Sequence, residues 1–214
     1  MIPSGRPILG KEWKLCVIVG AEKDLWRTAR AALRGGGRVV QYRGKTKSGA
    51  VQLSESLALR ELTRRFRAFL VINDRPDIAR LSGADGVHLG ETDLPVPVAR
   101  RILGKGKIIG ATAHSLREAL AAEREGADYV GCGSVFISPS KPGVPVLGSC
   151  AFTEITRRIR IPVLGIGGIT KKNAPEVLQK GACGVAVLSA VSEAVDPEST
   201  VRELLGNLSR ASVG

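Results

Sequence analysis

The chain has 214 residues, 43% of them hydrophobic and 24% charged, with 32 Lys and Arg against 20 Asp and Glu for a formal net charge of +12. This length and apolar content suit one globular unit with a full core, and no apolar run approaches the roughly 20 residues that span a bilayer. Aromatic residues make up 4% and the basic residues are spread over many segments rather than gathered in one stripe, which argues against nucleic acid as a partner.

Residues 1–14 carry Pro, Gly and charge but no apolar signal-peptide core, so a cytoplasmic protein with no membrane partner is expected. The charge reads mainly as a solvated outer layer, with attraction of a polyanionic substrate as the other explanation. The cysteines Cys16, Cys132, Cys150 and Cys183 form no C-x-x-C pair, and three lie in apolar runs. They read as reduced, largely buried thiols.

In chain order, the apolar run 15–19 predicts a strand, and 23–34 a helix that stops at Gly35-Gly36-Gly37. Strands follow at 38–42 and 69–72, separated by a helix over 50–67. A short helix from Pro76 leads to a strand at 86–89, and Pro95 opens a helix over 95–103. After a strand at 107–111, Ser115 and Glu118 form a capping box for a helix over 115–125. A strand at 128–132 precedes a Gly-, Ser- and Pro-rich loop to about 149, long enough to suggest function. A helix near 152–159, a strand at 162–165, a helix over 171–180, a strand at 184–188 and a helix near 198–205 complete the chain, with Gly206 as the expected stop. Eight strand-helix alternations without a linker predict an α/β fold, a single (β/α)₈ TIM barrel over 1–214 with its core at about 15–209. An open doubly wound sheet is the alternative.

In a barrel every loop that follows a strand opens on one face. The third and fourth strands end in Asn73-Asp74 and in Gly90-Glu91-Thr92-Asp93. Asp74 and Asp93, brought together there, suit Mg²⁺; as single residues they are better explained as helix caps or turn residues. The second strand ends in Gln41-Tyr42-Arg43-Gly44-Lys45, placing Gln41, Arg43 and Lys45 on one side as a diphosphate clamp or a solvated basic loop. His88 lies within a strand and reads as a barrel-interior hydrogen-bonding residue, and His114 as a rim residue or a base. Ser138, Ser140 and Lys141 in the long loop, Gly165-Ile166-Gly167-Gly168 and Ser189 offer hydroxyls, an ammonium and bare backbone N–H groups for phosphate.

Together, Gln41-x-Arg43-x-Lys45, Asn73-Asp74, the run from Gly83 to Gly90 with Asp93, Gly126-Ala127-Asp128, Ser138-x-Ser140-Lys141, Ile166-Gly167-Gly168-Ile169 and Val187-Leu188-Ser189-Ala190 resemble the thiamine-phosphate synthase family over about 15–190. The resemblance implies a Mg²⁺-dependent transferase joining a hydroxymethylpyrimidine diphosphate to a thiazole phosphate with release of pyrophosphate. It implies that Gln41, Arg43, Lys45, Asn73 and Lys141 hold the pyrimidine diphosphate and that Asp74 and Asp93 bind Mg²⁺. Ser138, Ser140, Gly168 and Ser189 would hold the thiazole phosphate, with Thr112 near the pyrophosphate. No dedicated catalytic base is implied; Arg43, Lys45 and Lys141 act electrostatically. Gly44 stands where that family usually has Glu, removing a charge beside the clamp and loosening the loop, while Thr112, Ser138 and Ser140 are hydroxyl-for-hydroxyl exchanges. The alternatives are a thiazole tautomerase-like barrel using His114 and a non-catalytic polyanion-binding barrel. A homo-oligomer is left open.

Overall fold

The computed structural model describes residues 9–20, 24–137 and 145–211. Its eight parallel strands are β1 (Leu15–Val19), β2 (Val39–Tyr42), β3 (Phe69–Asn73), β4 (Gly86–Leu89), β5 (Ile108–Ala113), β6 (Tyr129–Cys132), β7 (Val163–Ile166) and β8 (Gly184–Val187). They pair in sequence order, and β8 returns to β1 with Leu15 opposite Val185 and Val17 opposite Val187, closing the barrel.

The helices between them are α1 (Leu25–Arg34), α2 (Gly49–Arg65), α3 (Pro76–Leu81), α4 (Val96–Leu103), α5 (Leu116–Glu125), α6 (Ser149–Arg158) and α7 (Ala174–Gln179), followed after β8 by α8 (Ser189–Ser192) and α9 (Pro197–Ala211). Ser115 caps α5 as expected: its hydroxyl accepts from Glu118 N at 3.2 Å and meets the Glu118 carboxylate at 2.7 Å. Among the described residues no helix is long and apolar enough to cross a membrane.

Strand alternation sorts the core into two layers. Leu15, Val17 and Val19 face the helices, with Val40, Leu70 and Ile72 beside them. Cys16, Ile18, Val39, Val71, Ile108, Tyr129, Leu164 and Ala186 fill the barrel interior. A short 3₁₀ helix (Lys11–Lys14) places Trp13, 1% exposed, among these interior residues against Phe69 and Tyr129. Two bulky interior side chains fit because their neighbours lack one: a Cβ on Gly110 would lie 2.1 Å from Tyr129 Cζ, and one on Gly131 2.8 Å from His88 Cε1.

Some boundaries differ from those expected. Helix α9 runs straight through Gly206, because Val201, Leu204 and Leu208 continue a buried stripe on both sides of it; that burial outweighs the ~1 kcal/mol helix cost of one glycine. Strand β5 extends to Ala113, so Thr112 is a strand residue rather than a loop residue. The extra turn α8 was not foreseen, since four residues are too few to show a period. Cys16 and Cys132 are buried as expected, but Cys150 and Cys183 are exposed; all four thiols are free.

Candidate active site

The ends of the eight strands surround a cavity of about 930 Å³. Gln41, Arg43 and Lys45 from the end of β2, Asn73 and Asp74 from β3, Thr112 from β5, Gly168 after β7 and Ser189 after β8 all line it. Asp93 does not line the cavity itself; its carboxylate stands beside Asp74 and accepts from Gly90 N at 2.6 Å. Ser138, Ser140 and Lys141 lie outside the described residues.

One wall is a chain of polar contacts. Gln41 Nε2 donates to Asn73 Oδ1 at 2.7 Å, Asn73 Nδ2 donates to Asp74 Oδ1, and Lys45 Nζ pairs with Asp74 Oδ2 at 3.3 Å. The register explains the meeting, since Gln41 is opposite Val71 and Asn73 opposite His88, so adjacent strands deliver these side chains to the same rim. Asp74 leaves the strand with φ +66°, a left-handed conformation that non-glycine residues seldom adopt. Its N–H is held by His88 O at 2.8 Å, which turns the chain sharply and keeps the carboxylate over the barrel mouth.

Burial, and then the hydrogen bond with and charge of Asp93, push the Asp74 carboxyl up to about 6 despite the opposing charge of Lys45. Positive charge brought to the pair would favour the ionised form of Asp74. The pair is an all-oxygen donor set that fits a hard divalent cation. Among the described residues no group of three or more His, Cys, Asp or Glu could hold a metal, so a cation here would complete its shell with water and ligand oxygens.

The floor is neutral. His88 Nδ1 meets Tyr129 Oη and its Nε2 meets Thr112 Oγ1, each at 3.0 Å, and burial lowers the imidazole to about 4. The interior role expected of His88 therefore holds, and it orients the Thr112 hydroxyl. His114 lines the cavity with Nδ1 turned to Gly133 O, while its backbone N–H donates to Glu118 Oε2 at 2.8 Å.

Opposite the acidic pair, Gly167 and Gly168 have φ +95° and +63°, and a Cβ on Gly168 would lie 2.3 Å from Ile137 O. Only glycine satisfies both demands, and the bare backbone it leaves, beside Ser189 at the start of α8, forms the kind of concavity that takes a phosphate. Sequence reasoning did not single out Arg27, which also lines the cavity and donates to Ala194 O and Val195 O at 3.2 and 2.9 Å. Its acceptors are backbone carbonyls more than 160 residues away, so no side-chain pattern announces it.

The family model described as thiamine monophosphate synthase matches residues 15–191. The chain is 46% identical over 203 residues to the thiamine-phosphate synthase of Chlorobium luteolum, covering 94% of this chain and 96% of that one. It is 43% identical to the thiamine-phosphate synthase of Chloroflexus aurantiacus, covering 90% and 91%. The solved structure of a thiamine phosphate pyrophosphorylase from Pyrococcus furiosus superimposes with a TM-score of 0.87 at 40% identity, over 94% of this chain and 98% of that one.

Proposed function

Because the chain belongs to the thiamine monophosphate synthase family, enzymes of thiamine biosynthesis, we propose that it joins 4-amino-2-methyl-5-hydroxymethylpyrimidine diphosphate to hydroxyethylthiazole phosphate, giving thiamine phosphate and pyrophosphate. The observation that carries this reading is the convergence of cations, paired carboxylates and a glycine-lined pocket on one cavity of about 930 Å³, enough for two small phosphorylated heterocycles.

Arg43 and Lys45, with Gln41 and Asn73 between them and the barrel, hold the diphosphate. Asp74 and Asp93 would hold Mg²⁺, which when bound would supply charge neutralisation to the diphosphate. The backbone at Gly168 and the Ser189 hydroxyl take the phosphate of the thiazole, and Thr112 faces the leaving group. As the pyrimidine methylene C–O bond breaks, its electron pair leaves on pyrophosphate, and the thiazole nitrogen donates a pair to the methylene carbon. Negative charge grows on the leaving group, so fixed positive groups and alignment of the two rings supply the rate enhancement without a protein base.

Incubation with both heterocycles, with and without Mg²⁺, and detection of thiamine phosphate and pyrophosphate tests the reading. Asp93→Ala is expected to lower coupling by at least about 10²-fold while binding of the thiazole phosphate alone survives. Unchanged turnover in that variant would remove the metal assignment.

A further inference from the structure

The loop that carries Arg43 and Lys45 is fastened from beneath by groups that do not face the cavity. Alternation along β2 sends Gln41 and Arg43 toward the cavity and Tyr42 away from it, where it is 1% exposed. The Tyr42 hydroxyl donates to Glu55 Oε2 on α2, and Lys47 Nζ donates to both oxygens of the same carboxylate at 2.8 Å. Lys47 is held twice more: its N–H donates to Gly44 O at 3.0 Å and its carbonyl accepts from Gln52 Nε2 at 2.8 Å. Arg43 N donates to Val19 O at 2.8 Å, tying the start of the loop to β1.

Position 44 is part of the same arrangement. A Cβ on Gly44 would lie 2.4 Å from Tyr42 Oη and 2.8 Å from its Cζ, and one on Gly20 2.8 Å from Cε2 of the same ring. The ring is therefore clasped between the backbones of two loops, and the hydroxyl reaches Glu55 only because residue 44 has no side chain. With Gly at this position, the carboxylate that ties Tyr42 and Lys47 together comes from Glu55 on α2. Burial, then the hydrogen bond and charge of Glu55, push the Tyr42 hydroxyl well above its ordinary value, so it remains a donor at working pH.

We infer that Tyr42, Glu55 and Lys47 are positioning residues that fix the Arg43–Lys45 loop in its substrate-gripping conformation before the diphosphate arrives. This rests on the reading of Arg43 and Lys45 as the diphosphate clamp. Preorganisation of this kind lowers the ordering cost of binding, and displacement of a charged contact by about 1 Å can cost up to roughly 10²-fold in rate.

The test compares Tyr42→Phe, Glu55→Gln, their double variant and Lys45→Ala in the full chain, reading KM for each substrate, kcat and thermal midpoint. The expected result is a rise in KM for the pyrimidine diphosphate on the order of tenfold in either single variant, with KM for the thiazole phosphate unchanged. Because the two residues act as one unit, the double variant should be no worse than the worse single one. A lowered thermal midpoint with both KM values unchanged, beside a weakened Lys45→Ala, would show a purely structural brace and overturn the inference alone. Equal rises in both KM values would overturn it too. Lys45→Ala with an unchanged diphosphate KM would overturn the clamp reading and this inference with it.

Discussion

A neutral imidazole at the base of the cavity makes His88 a source of pH-dependent stability. Burial lowers it to about 4, with Asp93 pulling the other way, whereas the unfolded chain titrates near the ordinary histidine value of 6.5. Between those values the unfolded state binds a proton that the fold refuses, so stability is lost as pH falls from about 6.5 to about 4, by on the order of 3 kcal/mol for this group. Asp74 works in the opposite sense over part of the same window. Its folded value is raised to about 6 from 3.8, so the fold binds the extra proton and that group favours folding at the acidic end. The difference between wild type and His88→Asn, followed by urea unfolding of metal-free protein from pH 7 to 4.5, isolates the imidazole. The wild type should lose more stability on acidification than the variant; parallel profiles would mean that His88 takes up its proton in the folded state. The sequence placed His88 on the barrel interior because it lies mid-strand, but its two partners come from β5 and β6 and left no local mark. A cap or turn at Asp74 was legible from the residue type, but its left-handed backbone was not, since Asp marks turns of several geometries.

The same junction recurs where an odd-numbered helix feeds an even-numbered strand. Helices α1, α3, α5 and α7 are followed by Gly36, Gly83, Gly126 and Gly181, with φ of +101°, +67°, +93° and +93°. The next residue donates its N–H to the carbonyl five positions back: Gly37 to Ala32, Ala84 to Ala79, Ala127 to Ala122 and Ala182 to Val177, at 2.9 to 3.3 Å. Such a left-handed stop satisfies carbonyls at the helix end and turns the chain into the sheet. Two of these junctions add an aspartate latch. Asp85 Oδ2 accepts from Leu70 N at 2.8 Å and from Arg60 at 2.7 Å, and Asp128 Oδ2 from Ile109 N at 2.7 Å and Arg100 at 2.6 Å. The Asp128 side chain is 1% exposed and that of Asp85 22%. Asp128→Ala leaves the buried Ile109 N–H without its acceptor, while the Arg100 guanidinium keeps the backbone carbonyls of Gly104, Lys107 and Gly126, so it should cost about 1–3 kcal/mol, and Asp85→Ala less. Urea denaturation of both variants checks the order, and an equal loss would show that burial does not set the strength of the latch. The Gly-Ala-Asp motifs were visible in the sequence as part of the resemblance, whereas their mechanical role depends on arginines 25 and 28 residues away. Gly206 shows the converse: the same residue type ends a helix only where the apolar stripe also ends.

At the scale of the whole molecule, the eight alternations were legible because each strand and helix carries its own period. Closure was not a local property, since it depends on pairing β8 with a strand some 170 residues earlier. Convergence of the distant strand ends follows from closure and from nothing nearer. The net charge of +12 is likewise a property of the whole, and it acts on stability and capture with opposite signs. Excess positive charge repels itself in the compact state but draws a polyanion toward the cavity, and both effects are screened as the Debye length shortens from about 30 Å at 0.01 M salt to about 10 Å at 0.1 M. Raising sodium chloride across that range, with Mg²⁺ held fixed and saturating, should raise the thermal midpoint while lowering kcat/KM for the pyrimidine diphosphate. The monoanionic-to-dianionic thiazole phosphate, carrying less charge, should show a shallower fall. Equal slopes for the two substrates, or no slope for either, would mean that the field of the whole surface does not steer the diphosphate and that capture depends on the groups lining the cavity alone.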